Sequence, residues 1–264
     1  MFAFCHLDTG GTFKPPIYCK VTVEIPECQF MTSAEPTALF TRSWSLYDLI
    51  TEHNYMSHRE IYSGVEDLLR LRSDQGNYHL LDLGCGNARY LAPCLKRSPP
   101  ALYEGVDLSE AALTEAREYL AELPGQVILT LGDLLHAVES TGKTWDVLFT
   151  GFAIHHLMPD EKARFFQAAG HCLSEKGWLI LVDVVREENQ NRESFLDGYL
   201  KFMREKWKKV PQNQLEEACT HVRDHDHPEC LSTLREMAGA AGLNSTRLIS
   251  RHAQHHTLLF THSA

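Results

Sequence analysis

The chain has no apolar run approaching the roughly 20 residues a bilayer requires, so no segment reads as a membrane-spanning helix. It has no CxxC pair. Its eight cysteines (Cys5, Cys19, Cys28, Cys85, Cys94, Cys172, Cys219 and Cys230) are irregularly spaced, which excludes a disulfide framework and reads as reduced cytosolic thiols. Positive charge is short: 25 Lys and Arg stand against 35 Asp and Glu, a net charge of -10. Such a chain repels phosphate backbones, which argues against nucleic acid as the main partner. No basic segment followed by an apolar one opens the chain, so we expect no signal peptide, and the cytoplasm as the compartment. There the sequon Asn244-Ser245-Thr246 would be inert. Fifteen histidines invite a metal. Two groups stand out: His221, His225 and His227 interleaved with Asp224 and Asp226, and His252, His255 and His256. Neither has zinc-finger spacing or a His-Glu-x-x-His helix, so no metal is expected. The first group reads as a polar loop capping a following helix, with Pro228 in its first turn. The second reads as structural.

What is present suits one α/β domain: 264 residues, 44% of them hydrophobic. Residues 1–30 differ from the rest, with three of the eight cysteines, several Pro and Gly, and one short alternating stretch from Tyr18 to Ile25. We expect a poorly ordered extension there and a single domain over 31–264. From Ser43 to Arg72 the pattern is helical, with Tyr47, Thr51, Tyr55, His58 and Tyr62 on one face. Apolar runs at 79–83, 102–106, 126–131, 144–150 and 178–185 then alternate with amphipathic stretches at 87–97, 110–122 and 160–174. This pattern predicts a parallel sheet with helices on both faces. Ser109 is a candidate helix cap, Pro159 a first helical residue and Gly177 a helix stop. Residues 187–227 break the alternation and carry a helical stripe of Phe195, Tyr199, Phe202, Met203 and Trp207. A helix at 229–241 and strands near 244–250 and 255–262 close the chain.

The chemistry-bearing residues cluster at the carboxyl ends of the predicted strands. His79 to Asn87 is a buried strand running into a glycine turn, Asp82-Leu83-Gly84-Cys85-Gly86, that opens a helix. Glycines admit a ligand close to the backbone, and the helix start offers N–H donors. Asp107 ends the next strand, beside Leu108, where a carboxylate can accept from ribose hydroxyls. Gly132-Asp133-Leu134 ends the third strand, where a carboxylate with apolar flanks suits an adenine. The fourth strand ends at Thr150 and runs into Ala153-Ile154-His155-His156-Leu157. Open α/β sheets bind ligands at this edge, where strand order reverses.

Residues 79–185 resemble the class I S-adenosylmethionine (SAM)-dependent methyltransferases, above all their small-molecule "methyltransferase domain" members. The resemblance rests on Leu80 to Gly86, Asp107, Gly132-Asp133 and the Ala-x-His-His-Leu motif, in that order along the chain. It implies a Rossmann-like seven-stranded sheet of order 3-2-1-4-5-7-6 with its last strand antiparallel, and SAM as the cofactor. It further implies that the loop and Asp82 meet SAM, Asp107 its ribose, and Asp133 its adenine.

A nicotinamide dehydrogenase is the obvious rival, but Arg89 stands where its fingerprint needs a third glycine. No Asn/Asp-Pro-Pro-Tyr follows the fourth strand, which argues against methylation of base or glutamine amines. The expected reaction is methyl transfer to an O, N or C atom of a small-molecule metabolite. Carboxyl methylation of a fatty or carrier-bound acid, and a non-catalytic SAM-binding subunit, are the alternatives. His156, with His155 second, is the candidate base for the acceptor's proton. The acceptor pocket is expected between the 43–72 helix and the 187–227 lid, with Tyr55 facing the methyl group. Such a lid would exclude water.

Overall fold

The computed structural model of the chain describes residues 21–24 and 44–262. Its centre is a parallel sheet. Strands β2 (His79–Leu83), β3 (Leu102–Asp107), β4 (Gln126–Leu131), β5 (Trp145–Gly151) and β6 (Leu173–Arg186) lie in the order β4-β3-β2-β5-β6. The order reverses at β2, which pairs with β3 on one side and β5 on the other. A C-terminal hairpin, β8 (Ser245–His252) and β9 (His255–Thr261), extends the sheet, with β9 antiparallel to β6. The expected order 3-2-1-4-5-7-6 is therefore present. Two short strands add to it. β1 (Val21–Glu24) pairs parallel with the outer edge of β4, and β7 (Glu229–Cys230) pairs with the end of β6.

Period-2 alternation sends neighbouring side chains to opposite faces of each strand. On β6, Ile180 and Val182 join one core, while Leu179 and Leu181 join the other. The first core is covered by α2 (His58–Ser73), α3 (Leu91–Arg97) and α4 (Glu110–Leu120). The second is covered by α5 (Leu134–Ser140), α6 (Pro159–Cys172) and α9 (Leu231–Ala240). The local signals that set these helices are ordinary ones. Ser109 caps α4 by accepting from Ala112 N at 3.2 Å, and Pro159 opens α6, where a missing N–H costs nothing.

A third apolar cluster forms a cap. Leu46 and Ile50 of α1 (Trp44–Glu52) pack with Phe195, Tyr199 and Met203 of α7 (Arg192–Lys206), and with Leu215 and Cys219 of α8 (Gln212–His225). Val184 near the end of β6 joins them. The 187–227 segment, expected to be a lid, forms this α7–α8 pair.

Four expectations need correction. The 43–72 helix is two helices, broken at 53–57, where Asn54 (φ 54) and Ser57 (φ 58) turn left-handed. Asn54 fixes the break by accepting from Arg59 N at 3.0 Å and donating to Glu60 at 2.7 Å. Gly177 is no helix stop: α6 ends at Cys172, and Gly177 lies inside β6. Pro228 precedes β7 and not a helix turn. Residues 21–24 of the expected extension form β1, so the sheet begins before residue 31. The rest of 1–30 lies outside the described residues.

Candidate functional site

At the reversal point the chain leaves β2 through Gly84 (φ 76) and Gly86 (φ 52), both in the left-handed region that glycine adopts freely. A Cβ on Gly84 would meet Ala153 Cβ at 2.7 Å, so this turn packs against the loop after β5. A Cβ on Gly86 would meet nothing within 4 Å, so open space lies before the loop. Asp107 holds the loop from the neighbouring strand: its Oδ2 accepts from Gly86 N and its Oδ1 from Ser109 N, both at 2.8 Å. Burial raises the Asp107 pKa, against the lowering effect of these N–H bonds. Gly132 N donates to Asp107 O at 3.0 Å, which draws the third strand end to the same place.

The other candidates on this edge divide into accessible and enclosed groups. Asp133 is exposed and caps α5 by accepting from His136 N at 2.8 Å. Leu108 is 48% exposed and Leu134 is half-buried. Asp82 in β2 and Cys85 within the loop are both buried. Tyr103 donates to Asp82 Oδ2 at 2.7 Å. Burial pushes the Asp82 pKa up to about 7, a rise that this bond opposes and the Asp107 charge assists. Thr150 is fully enclosed at the end of β5 and does not reach the open edge. The residues that do reach it fit an adenosyl ligand: a loop with space before it, a carboxylate for hydroxyls, and an exposed apolar side chain for a ring.

Beyond β5 a cavity of about 120 Å³ lies between the sheet edge and the cap. Leu46, Ile50, Met56, Phe152, Val184, Met203 and Trp207 supply apolar wall; Tyr47, Tyr199, His156, His221 and Asp226 supply the polar part. The cavity stands where the sequence put the acceptor pocket, between α1 and the 187–227 segment. Of the three predicted catalytic residues only His156 lines it. Tyr55 does not: its hydroxyl accepts from Lys209 N at 2.9 Å and its ring stacks on Trp207 at 5.7 Å, so it fastens the cap.

His155 is buried beside the cavity, its Nδ1 2.5 Å from Asp183 Oδ1 and its Nε2 3.8 Å from Asp226 Oδ1. Burial draws its pKa down, but the two carboxylates outweigh that and lift it to about 9. In the metal-free chain this favours the protonated form, which accepts no proton until the one on Nε2 is displaced. His156 Nδ1 lies 3.4 Å from Asp226 Oδ1. Its pKa is lowered, by burial first and then by the neighbouring His155, so the imidazole is neutral. His221 packs edge-on to His156 at 5.5 Å and is lowered to about 4, mainly by burial. The loop carrying Asp226 is tied to the 154–157 turn by His227 N donating to His155 O at 2.6 Å. Lys162, itself buried, donates to Leu157 O at 2.7 Å and to His227 O. Chemically, this cluster can hold a proton or a cation beside the cavity.

Asp183 was not among the sequence candidates, and Asp226 entered only within the histidine group that was set aside as a metal site. Asp183 had a signal, a lone carboxylate inside the apolar run Leu179–Val185. Asp226 stood among five charged or imidazole residues, with nothing in the spacing to single it out.

The model of a family described as methyltransferase domain matches residues 81–179. Carboxy-S-adenosyl-L-methionine synthase 1 of Yersinia pseudotuberculosis is 22% identical over 147 residues, which is 53% of this chain and 61% of that protein. The chain therefore matches less than two thirds of that relative's length. Two solved structures share the fold. Plantazolicin methyltransferase in complex with SAH superimposes with a TM-score of 0.60 at 14% identity, over 87% of this chain and 92% of that one. Magnesium protoporphyrin IX methyltransferase from Synechocystis PCC 6803 with bound SAM gives 0.58 at 14% identity, over 89% and 100%. Together with the sheet order and the glycine edge, these matches show the class I methyltransferase fold. Residues 81–179 are the part of the chain that carries the methyltransferase-domain match. Among the described residues no helix is long and apolar enough to cross a membrane.

Proposed function

We propose that the protein transfers the methyl group of SAM to an O, N or C atom of a small-molecule metabolite held in the cavity under the cap. One observation carries the reading: the cavity lies beside the loop after β5, against the same edge that bears Gly86, Asp107 and Asp133. The bound sulfonium supplies an electrophilic methyl group. The chain's own task is then alignment and exclusion of water. Asp107 and the Gly84–Gly86 loop hold the ribose and backbone side of SAM; Leu108 and Asp133 flank its adenine. The apolar wall from α1, α7 and α8 orients the acceptor, and His156 is the residue set against it. The small volume and mostly apolar wall favour a compact acceptor with one polar end. We place the activity in the cytoplasm, in keeping with the reduced thiols: the five cysteines among the described residues are buried and free.

The test is incubation of the full chain with methyl-labelled SAM and a metabolite extract, followed by mass spectrometry of labelled species. A labelled small molecule supports the reading. SAM binding with no labelled product supports the non-catalytic alternative. A labelled carboxylic ester would select the carboxyl-methylating alternative. SAM recovered heavier by a carboxyl group would instead align the chain with the Yersinia relative named above.

A further inference from the structure

We propose that His155 Nε2, His156 Nδ1 and the Asp226 carboxylate form a site for one divalent transition-metal ion of the zinc type, open toward the acceptor cavity. The separations argue for it. Asp226 Oδ1 lies 3.4 Å from His156 Nδ1 and 3.8 Å from His155 Nε2. Both exceed a good N–H···O bond. Two donors each about 2.0–2.1 Å from a tetrahedral ion stand about 3.4 Å apart, which is the spacing seen. The three donor atoms lie within 4.8 Å of one another, so closing on an ion needs shifts of roughly 1 Å. Asp226 Oδ1 is buried and receives no well-formed hydrogen bond.

The surroundings are those of a metal site. Two imidazoles and a carboxylate are a donor set that zinc takes when a fourth position is left for an exogenous ligand. His155 Nδ1 donates to Asp183 Oδ1 at 2.5 Å, which turns Nε2 toward Asp226, and Asp183 is itself fixed by Val184 N at 2.8 Å. A carboxylate behind a ligand histidine fixes its tautomer and raises its basicity. Two cations are among the loop ties: Lys162 Nζ is balanced by Glu229 at 3.6 Å, and Arg192, whose Nε donates to Asp226 O at 2.7 Å, is balanced by Glu193 at 3.0 Å. Both His156 and Asp226 line the cavity, so the open position faces the acceptor. An ion there would bind an acceptor oxygen directly.

The experiment uses the full chain stripped with a chelator and dialysed, then titrated with Zn²⁺ by calorimetry and with Co²⁺ by visible absorption. The expected result is one equivalent of zinc and the strong bands of four-coordinate cobalt. Asp226→Asn and His156→Gln should each weaken binding more than tenfold, and Asp183→Asn by about 10–100-fold. His171→Ala, on the exposed side of α6, should change nothing. Circular dichroism and SAM affinity establish that each variant is folded. Uptake below half an equivalent would overturn the site, as would zinc bound equally well by folded Asp226→Asn and His156→Gln. Methyl transfer that survives chelation while zinc uptake is absent would remove the ion and leave the proposed function standing.

Discussion

Asp107→Ala is the sharpest test of the SAM edge, because the carboxylate holds the loop in the structure and is proposed to hold the ribose as well. Its oxygens already accept from Gly86 N and Ser109 N at 2.8 Å. Each carboxylate oxygen has a further lone pair, so the ribose hydroxyls can be accepted as well. A hydrogen bond to a charged group is worth about 1.5–3 kcal/mol, so losing the ribose contact should raise the SAM dissociation constant about 10- to 150-fold. A slackened loop would give the same sign. The two causes separate with a deoxyribose analogue of S-adenosylhomocysteine. The wild type should bind the analogue more weakly than the parent by a similar factor. The Ala variant, having no carboxylate to lose, should bind both alike. Calorimetry on a folded variant supplies all four constants. An unchanged SAM affinity would refute the assignment. An undiminished preference for the hydroxylated ligand in the variant would assign the loss to the loop alone.

The two loop glycines should fail differently. Gly84→Ala, with its 2.7 Å clash and positive φ, should lower stability by about 1–3 kcal/mol in urea denaturation. Gly86→Ala, which meets no protein atom, should cost only the left-handed strain of about 1–2 kcal/mol yet lose most SAM affinity. Ala218→Leu, on the cavity wall, should abolish acceptor methylation while SAM affinity holds, read by isothermal calorimetry beside turnover. Asp82, held protonated up to about pH 7 in the native chain, makes the folded state bind more protons than the unfolded one. Its stability contribution is therefore complete below about pH 4 and is lost as pH rises to 7, by at most about 4 kcal/mol. Asp82→Asn should flatten that slope in denaturation curves taken from pH 4 to 8. A chain begun at Met31 loses β1 and exposes the β4 edge; it should still bind SAM normally, with a lower melting temperature.

The core was legible because each of its signals is local. A buried strand, a glycine turn and a capped helix are written in adjacent residues, and repeating them fixes a parallel sheet. The break at 53–57 was missed for the opposite reason. Thr51, Tyr55 and His58 keep helical spacing across it, and only Asn54, whose short amide tolerates a left-handed turn, marks where the helix stops. Tyr55 then turns toward Trp207 and away from the cavity, so an error of a few backbone angles moved a predicted catalytic residue out of the site.

The histidine cluster shows where reading along the chain ends. His155 and His156 were visible as a motif, but adjacent residues on a tight turn take different surroundings. One was caught between Asp183 and Asp226, the other set on the cavity wall. Which one does which depends on two carboxylates, from β6 and from the loop after α8, that the sequence places 28 and 71 residues from His155. Spacing rules for metal sites assume ligands on one loop or one helix, so a set drawn from distant segments escapes them. Beside the His227 N to His155 O bond and Arg192 Nε on Asp226 O, a buried lysine helps hold this set together: Lys162 bonds the carbonyls of Leu157 and His227, joining the two ligand-bearing turns. The same side chain lies in an ordinary amphipathic helix when read as sequence. Lys162→Met should therefore leave the sheet and SAM binding intact, yet loosen Asp226 from His155 and His156. That would appear as weaker zinc uptake and reduced methyl transfer together. Unchanged uptake in a folded Lys162→Met variant would show that the turns hold their geometry without the clamp.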